Sequence, residues 1–446
     1  MSLIFEGKRV AFYTLGCKLN FSETSALTRK FEDLGFRKVE FSSLADVYVI
    51  NTCTVTEHAD KKCRNAIYRA VKTNPGSFVA VIGCYSQLKA DEISKIPGVS
   101  LVLGSANKLD ISHFVENFSR KGQATICQET ANEEAECFSA YSSGDRTRSF
   151  LKIQDGCDFH CSYCTVCIAR GKSRNMPISQ VVKEANEIAA KGIKEIVLAG
   201  VNLGDFGKST GETFFQLIQA LDEVDGIERY RISSIEPNLL TPEIIRFVAD
   251  SKKFLPHFHI PLQSGCDRIL ALMRRRYNTA FYRRKIEEIK AVMPDAGIGM
   301  DVIVGFPGET DEDFKVTYNF IKSLNISYLH VFPYSIRENT PAASYADQVP
   351  YKVKDERNKK LHELSEQKRH DFYLKNLGTG QKVLFEGQRT KGKIHGFTAN
   401  YIKVEASYDA KLAGKIITVK LKEISPEGDV IFEPLVPESQ KLSYKG

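Results

Sequence analysis

The 446-residue chain is long enough for two or three domains, and 42% apolar with 26% charged residues exclude a disordered or fibrous protein. No apolar run reaches ~18 residues, and the start, MSLIFEGKRV, lacks an h-region and a small-residue cleavage site, so neither a membrane span nor a secretory signal is expected. Eleven cysteines in such a chain favour metal binding or catalysis over disulfides, and the net charge of +7 matters less than where it sits.

Three early runs, VAFYTLGC (10–17), YVINTC (48–53) and FVAVIGC (78–84), are short, apolar and rich in β-branched and aromatic residues, as buried parallel strands are. Helical stretches separate them, which predicts a parallel α/β domain over residues 1–140. Each run ends in a cysteine: Cys17, Cys53 and Cys84. Ligands of open parallel sheets gather beyond the carboxyl ends of the strands, so three strand-end thiols are expected to meet at one metal site. Three buried structural cysteines are the alternative, because free cysteine is among the most buried residue types. Cys63, in KKCRNAIYRAV, lies on a predicted helix without that placement and is expected in packing or at the surface. Residues 119–148 are polar and charged and read as a linker, with Cys127 and Cys137 lacking partners at ligand spacing.

A second β/α region is expected over residues 145–374. FLKIQDGC reads as a strand entering GCDFHCSYC, where Cys157, Cys161 and Cys164 are spaced C-x3-C-x2-C. Thiolates this close suit iron–sulfur or zinc. Three of them leave one iron of a [4Fe–4S] cube open to a ligand from outside the protein. The spacing, with the aromatic Tyr163 before the third cysteine, resembles the signature of radical S-adenosylmethionine (SAM) enzymes. That resemblance implies that SAM chelates the open iron and is cleaved there to a 5′-deoxyadenosyl radical. Cys167 extends the run to four, and as a ligand it would close the cluster into an electron carrier. The long β/α chain that follows favours a small buried thiol instead.

Farther on, PISQVVKEANEIAAKG reads as an amphipathic helix with Ser179 as N-cap and Gly192 as its stop. IKEIVLAG, RYRISSIEP, HFHIPLQSG, GIGMDVIVGFPGE and ISYLHVFPYS read as strands. Strands separated by helices predict a barrel or partial barrel with its site at the strands' C-terminal ends. Gly200, Ser234, Glu236 and Gln263 occupy such ends.

After a charged helical stretch, QKVLFEG, KIHGFTANYIKVEA, GKIITVKLKEI and DVIFEPL predict a small antiparallel β-barrel over residues 375–440. Residues 382–422 hold nine basic and three acidic residues, so this segment carries +6 of the chain's +7. A second basic run, MRRRYNTAFYRRK, interleaves Arg274, Arg275 and Arg276 with aromatics. Arginines beside aromatics suit looped or single-stranded RNA, through phosphate pairing and base stacking. Both runs are therefore expected to bind RNA, with Lys391 and Lys393 contributing from the tail.

Together these motifs resemble the radical-SAM methylthiotransferases. TLGCKLNFSE, NTCTVT and GCYSQ resemble the three N-terminal cysteine motifs of that family. GCDFHCSYC…ARG, SSIEP, HIPLQSG, MRRRY, DVIVGFPGET and FPYSIRENTPA resemble its core, and the tail resembles a TRAM domain. The resemblance implies an auxiliary [4Fe–4S] cluster on Cys17, Cys53 and Cys84 and a SAM-binding [4Fe–4S] cluster on Cys157, Cys161 and Cys164. It further implies SAM contacts near Tyr163, Gly200, Ser234, Glu236 and Gln263. The loop after the third cluster cysteine usually contains proline where this chain has Cys167. Among the family's branches, TLGCKLN resembles the one acting on N6-threonylcarbamoyladenosine (t6A) in tRNA. YGCQMN-like forms go with isopentenyl-type adenosine and LGCPKN with a ribosomal protein. The implied activity is addition of a methylthio group to C2 of t6A at position 37, 3′ of the anticodon. Implied partners are a tRNA anticodon stem-loop, a flavodoxin- or ferredoxin-type electron donor and a sulfur source, in the cytoplasm and with no membrane. A zinc-bearing RNA-binding protein or a closed-cluster electron carrier is the more remote reading.

Overall fold

The computed structural model describes residues 5–54, 56–105, 108, 111–116, 124–127, 137–144 and 146–435. The first region is a parallel sheet. Strand β1 (Arg9–Thr14) leads into α1 (Lys18–Asp33) and the edge strand β2 (Arg37–Val39). Strand β3 (Val47–Thr52) leads into α2 (Glu57–Thr73), and β4 (Phe78–Gly83) into the short α3 (Cys84–Leu88) and α4 (Ala90–Ser94). Then come β5 (Leu101–Leu103), α5 (Ile111–Glu116) and β6 (Thr125–Cys127). The order is β2-β1-β3-β4-β5-β6, all parallel. Strands β3 and β4 are buried at every position, as strands covered by helices on both faces must be. The winding reverses between β1 and β3, and that reversal opens a crevice beyond their carboxyl ends.

The second region continues in the same style. It contains β7 (Ser149–Lys152), β8 (Gln154–Asp155), α6 (Val166–Arg170), β9 (Arg174–Asn175), α7 (Ile178–Ala190) and β10 (Glu195–Ala199). These are followed by α8 (Phe214–Asp222), β11 (Arg229–Ile232), α9 (Pro242–Asp250), β12 (His257–His259) and α10 (Asp267–Leu272). The last are α11 (Thr279–Val292), β13 (Gly297–Val304), α12 (Asp311–Ser323) and β14 (Tyr328–Pro333). Two parallel three-stranded sheets, β7-β10-β11 and β12-β13-β14, are joined by parallel bridges at Tyr230–Phe254 and Ser234–His259. The result is a six-stranded partial barrel with one apolar core beneath its helices. Ser179 is not the cap of α7: the helix starts at Ile178 after Pro177, and the Ile178 N–H donates to the Glu212 carboxylate at 3.0 Å. Gly192, with φ +76°, follows its end.

Helix α13 (Tyr351–Asn376) runs to a closed five-stranded barrel of β15 (Gly380–Phe385), β16 (Lys393–Thr398), β17 (Lys403–Ser407), β18 (Ile416–Ile424) and β19 (Val430–Pro434). The segment KIHGFTANYIKVEA makes both β16 and β17, turning at Ala399–Tyr401 with Tyr401 at φ +74°. That turn enters the partial barrel from below, where the parallel strands begin. Arg231 donates to the Ala399 and Thr398 carbonyls at 3.2 and 3.3 Å, and Arg229 to the Phe397 carbonyl at 3.2 Å. Asn400 donates to the Asp295 carbonyl at 2.9 Å, and the Tyr401 ring lies 4.6 Å from that of His257. Among the described residues, no helix is long and apolar enough to cross a membrane.

Candidate active site between two cysteine triads

Cys17, Cys53 and Cys84 follow β1, β3 and β4, three adjacent strands of the first sheet. Cys17 stands at the N-terminus of α1, Cys84 opens α3, and Cys53 is buried between them. The Cys17 and Cys53 loops touch: a Cβ at Gly16, which has φ +103°, would lie 2.9 Å from the Cys53 Sγ. Glycine there meets both the left-handed conformation and the close approach. Asn20 fixes the same pair of loops by donating to the Leu15 carbonyl at 2.7 Å and the Thr52 carbonyl at 3.0 Å. Behind them Cys63 is fully buried, with its thiol 3.5 Å from the Cys53 carbonyl, and burial pushes it up to about 12.

The other three cysteines come from one loop. Gly156, at φ +70°, begins it, and a Cβ there would collide with the Lys172 carbonyl at 1.9 Å. Backbone N–H groups are aimed at the sulfurs: Phe159 donates to the Cys157 Sγ at 3.3 Å and Val166 to the Cys164 Sγ at 3.4 Å. The Arg275 guanidinium donates to the Cys161 Sγ at 3.1 Å and to the Tyr163 hydroxyl at 3.4 Å. Its other nitrogens bond the Glu236 carboxylate and the Tyr277 hydroxyl. Burial pushes Cys157 and Cys164 up to about 12, so thiolates form there only against the charge of a metal. Three thiols with N–H and guanidinium donors on their sulfurs fit an iron–sulfur cluster. The Cys167 thiol instead turns to the Cys164 carbonyl, 3.9 Å away.

A buried ionic network ties the two triads together. Glu23, on α1, pairs with Lys108 at 2.5 Å, Lys152 at 3.1 Å and Arg170 at 3.0 Å. Arg170, on the helix after the second cysteine loop, also pairs with Asp155 at 2.9 Å and donates to the Asn20 Oδ1 at 2.7 Å. Burial alone would raise Glu23, but Arg170, Lys108 and Lys152 outweigh it and hold the carboxyl well below its usual range. Asp155 is likewise held down, against its burial, by Lys152, Arg170 and Arg174. The motif strings around Cys17 and Cys164 thus contain the two halves of one lock. Sequence reasoning left these residues without a role, although Lys152 and Asp155 stand out as charges in the otherwise apolar run FLKIQDG.

A cavity of about 650 Å³ lies inside the partial barrel, of a size that takes a small ligand or a nucleoside. Cys17 and Lys18 line it from the first region, and Gly200 and Ser234 from the barrel's strand ends. Gln154 pins the Gly200 turn by accepting from the Val201 and Asn202 N–H groups at 2.9 and 3.0 Å. Both amide atoms of Asn202 are buried without a partner, which leaves them for a ligand. Ser234 bonds the His259 ring at 2.9 Å, and His259 faces Asp301 at 3.2 Å. Burial keeps His257 and His330, also in the wall, below the usual imidazole range. These inward histidines were missed. Their signal is alternation: His257 and His259 on β12, then Tyr328, His330 and Phe332 on β14. Gln263 adopts φ +68° and pairs with the β13 backbone.

The expected RNA residues divide. Arg274 and Arg276 are exposed, and Arg276 lies 3.9 Å over the Phe159 ring. Arg275 is not an RNA contact: its side chain is 3% exposed and its donors are committed to Glu236, Cys161 and two tyrosines. Lys391 is exposed, whereas Lys393 pairs with Glu405 at 2.8 Å.

Comparison with known proteins agrees with this geometry. Residues 151–321 match the radical SAM superfamily, and residues 9–104 match Uncharacterized protein family UPF0004. The chain is 40% identical over 423 residues to threonylcarbamoyladenosine tRNA methylthiotransferase MtaB of Bacillus subtilis, covering 92% of this chain and 93% of that one. It is 39% identical over 414 residues to MtaB of Aquifex aeolicus, covering 92% and 99%. The radical SAM methyltransferase TsrM of Kitasatospora setae shares the fold, with a TM-score of 0.55 at 13% identity over 75% of this chain and 74% of that one.

Proposed function

The chain belongs to the radical SAM methylthiotransferase family, and we infer that it adds a methylthio group to C2 of t6A at position 37 of tRNA. The observation that carries the reading is one cavity lined by Cys17 of the first triad and by Gly200, whose turn Gln154 ties to the Gly156 carbonyl just before Cys157 of the second. Two [4Fe–4S] clusters and SAM, when bound, supply the deoxyadenosyl radical and the sulfur chemistry. Cys157, Cys161 and Cys164 would hold the SAM-binding cluster, and Cys17, Cys53 and Cys84 the auxiliary one.

The chain's own side chains bind, orient and exclude water. Arg275, held by Glu236, places positive charge against Cys161. Asn202 offers an amide donor and acceptor beside the Gly200 turn. Phe21, Phe150 and Phe332 give the cavity faces on which a flipped base can stack. Tyr401 closes the floor of the cavity against His257 and excludes water from it. Exposed Arg274, Arg276 and Lys391 meet phosphates of the anticodon stem-loop. An electron donor of the flavodoxin or ferredoxin type and a sulfur source complete the reaction, in the cytoplasm, where tRNA is found.

The test is anaerobic reconstitution with iron and sulfide, then dithionite, SAM and two tRNAs, one bearing t6A and one isopentenyladenosine, with nucleosides read by mass. A methylthio gain on t6A alone is expected. A gain on the isopentenyl base alone would overturn the branch, and 5′-deoxyadenosine without either product would overturn the substrate.

A further inference from the structure

The charges in the cavity wall are almost all matched. Arg148 pairs with Glu386 at 2.6 Å, Arg231 with Glu195 at 3.1 Å, and Asp301 faces His259 at 3.2 Å. Two cations are left over. Lys18, directly after Cys17, lines the cavity and makes no hydrogen bond or ion pair among the described residues. Arg146 lies 4.7 Å over the Phe21 ring and 5.5 Å over the Phe150 ring, and it has no carboxylate partner among the described residues. Asp301 in the same wall acts on Lys18 without a hydrogen bond to it, so the Lys18 ammonium keeps its donors for a further anion beside Cys17.

The inference rests on the t6A reading above. On an adenine ring C2 and N6 flank the same edge, with N1 between them. A base that presents C2 toward Cys17 brings its N6 substituent to the same wall. The threonylcarbamoyl group ends in a carboxylate, whereas an isopentenyl group is uncharged and apolar. We propose that Lys18, backed by Arg146, pairs with the threonyl carboxylate of t6A and is the residue by which this enzyme selects t6A over uncharged N6 substituents. A cation that meets a carboxylate in a partly enclosed site forms a charge-assisted hydrogen bond, and a neutral substrate leaves that cation desolvated without compensation. Sites built in this way discriminate well against the analogue that lacks the partner group.

The experiment uses the reconstituted full chain and three anticodon stem-loops, carrying t6A, the methyl ester of t6A and isopentenyladenosine. Wild type is expected to prefer the acid to the ester by about 10–100-fold in kcat/KM, the range of a charged hydrogen bond. Lys18→Met should lose activity on the acid by a similar factor and treat acid and ester alike, while Lys18→Arg restores the preference. Iron content reports whether each variant is loaded. If Lys18→Met does not take up iron, Arg146→Gln carries the same comparison, with a smaller loss of preference expected. Equal use of acid and ester by wild type would overturn the proposal and leave the t6A activity standing. Loss on acid and ester alike in Lys18→Met, with the salt slope of stem-loop binding reduced by about 1, would assign Lys18 to a phosphate and also overturn it. Modification of isopentenyladenosine alone by wild type would remove the t6A reading itself.

Discussion

The two cysteine triads are built in opposite ways. The second lies within eight residues of one loop, from Cys157 to Cys164. Its sulfurs receive backbone N–H groups from that loop and a guanidinium from the turn between α10 and α11 at Arg275. The first is spread from Cys17 to Cys84 and comes together because β1, β3 and β4 are neighbours in a parallel sheet. Cys17 opens onto the cavity. The local triad is insulated and tuned by its own loop. The assembled triad is only as stable as the sheet and the domain contact that hold it, and it stands closer to whatever occupies the cavity. On the proposed reading, the local site would control an electron and the assembled one would reach the substrate.

Alanine at one cysteine of each triad should break this comparison most visibly. Cys161→Ala and Cys53→Ala should each abolish methylthiolation and remove about four of about eight irons. Only Cys161→Ala should also abolish 5′-deoxyadenosine formation. Loss of SAM cleavage in both variants would mean that the triads do not divide the work.

Next in size is the lock between the regions. Glu23→Gln leaves Lys108, Lys152 and Arg170 buried with too little opposing charge, and unfolding by urea should show a loss of about 3–5 kcal/mol. A change under 1 kcal/mol would show that the network is dispensable. Acid should act on the same contact. Glu23 and Asp155 sit well below the ordinary carboxyl range of about 4, so their stabilisation is complete above about pH 5 and fades as pH falls below 4 toward their own values. Fluorescence or hydrogen exchange across this interface should report loosening at low pH and none between neutral pH and about pH 5.

Smaller and more selective is Arg275→Gln. Removing a positive charge from the Cys161 sulfur disfavours added electron density, so the midpoint of the Cys161 cluster should fall by tens of millivolts while the Cys17 cluster stays put. Potentiometry followed by EPR separates the two, and equal shifts would deny the insulation argued above. Smallest is Arg276→Glu, which should weaken stem-loop binding and lower the salt slope by about 1 without moving either midpoint.

The local triad is fully legible in the sequence because its chemistry is its spacing. The assembled triad is legible for a different reason: each cysteine ends a run with strand periodicity, and parallel topology does the rest. Arg275 was not legible. Arg274, at φ +58°, turns the chain so that Arg274 and Arg276 face out while Arg275 and Tyr277 face in, and three identical letters conceal that alternation. The Glu23 network was invisible because Glu23 lies 85 to 147 positions from its partners Lys108, Lys152 and Arg170, and pairing at such range leaves no periodic mark. Ser179 misled because Pro177 and Glu212 already meet the needs of that helix start.

The turn at Ala399–Tyr401 bears on how the molecule can be taken apart. It belongs to the C-terminal barrel, yet it stoppers the lower mouth of the catalytic one, held by Arg229, Arg231 and Asp295. Cutting the chain after α13 would therefore do more than weaken a grip on nucleic acid. It would leave a tube open at both ends, so a base drawn into it would no longer sit in a closed chamber.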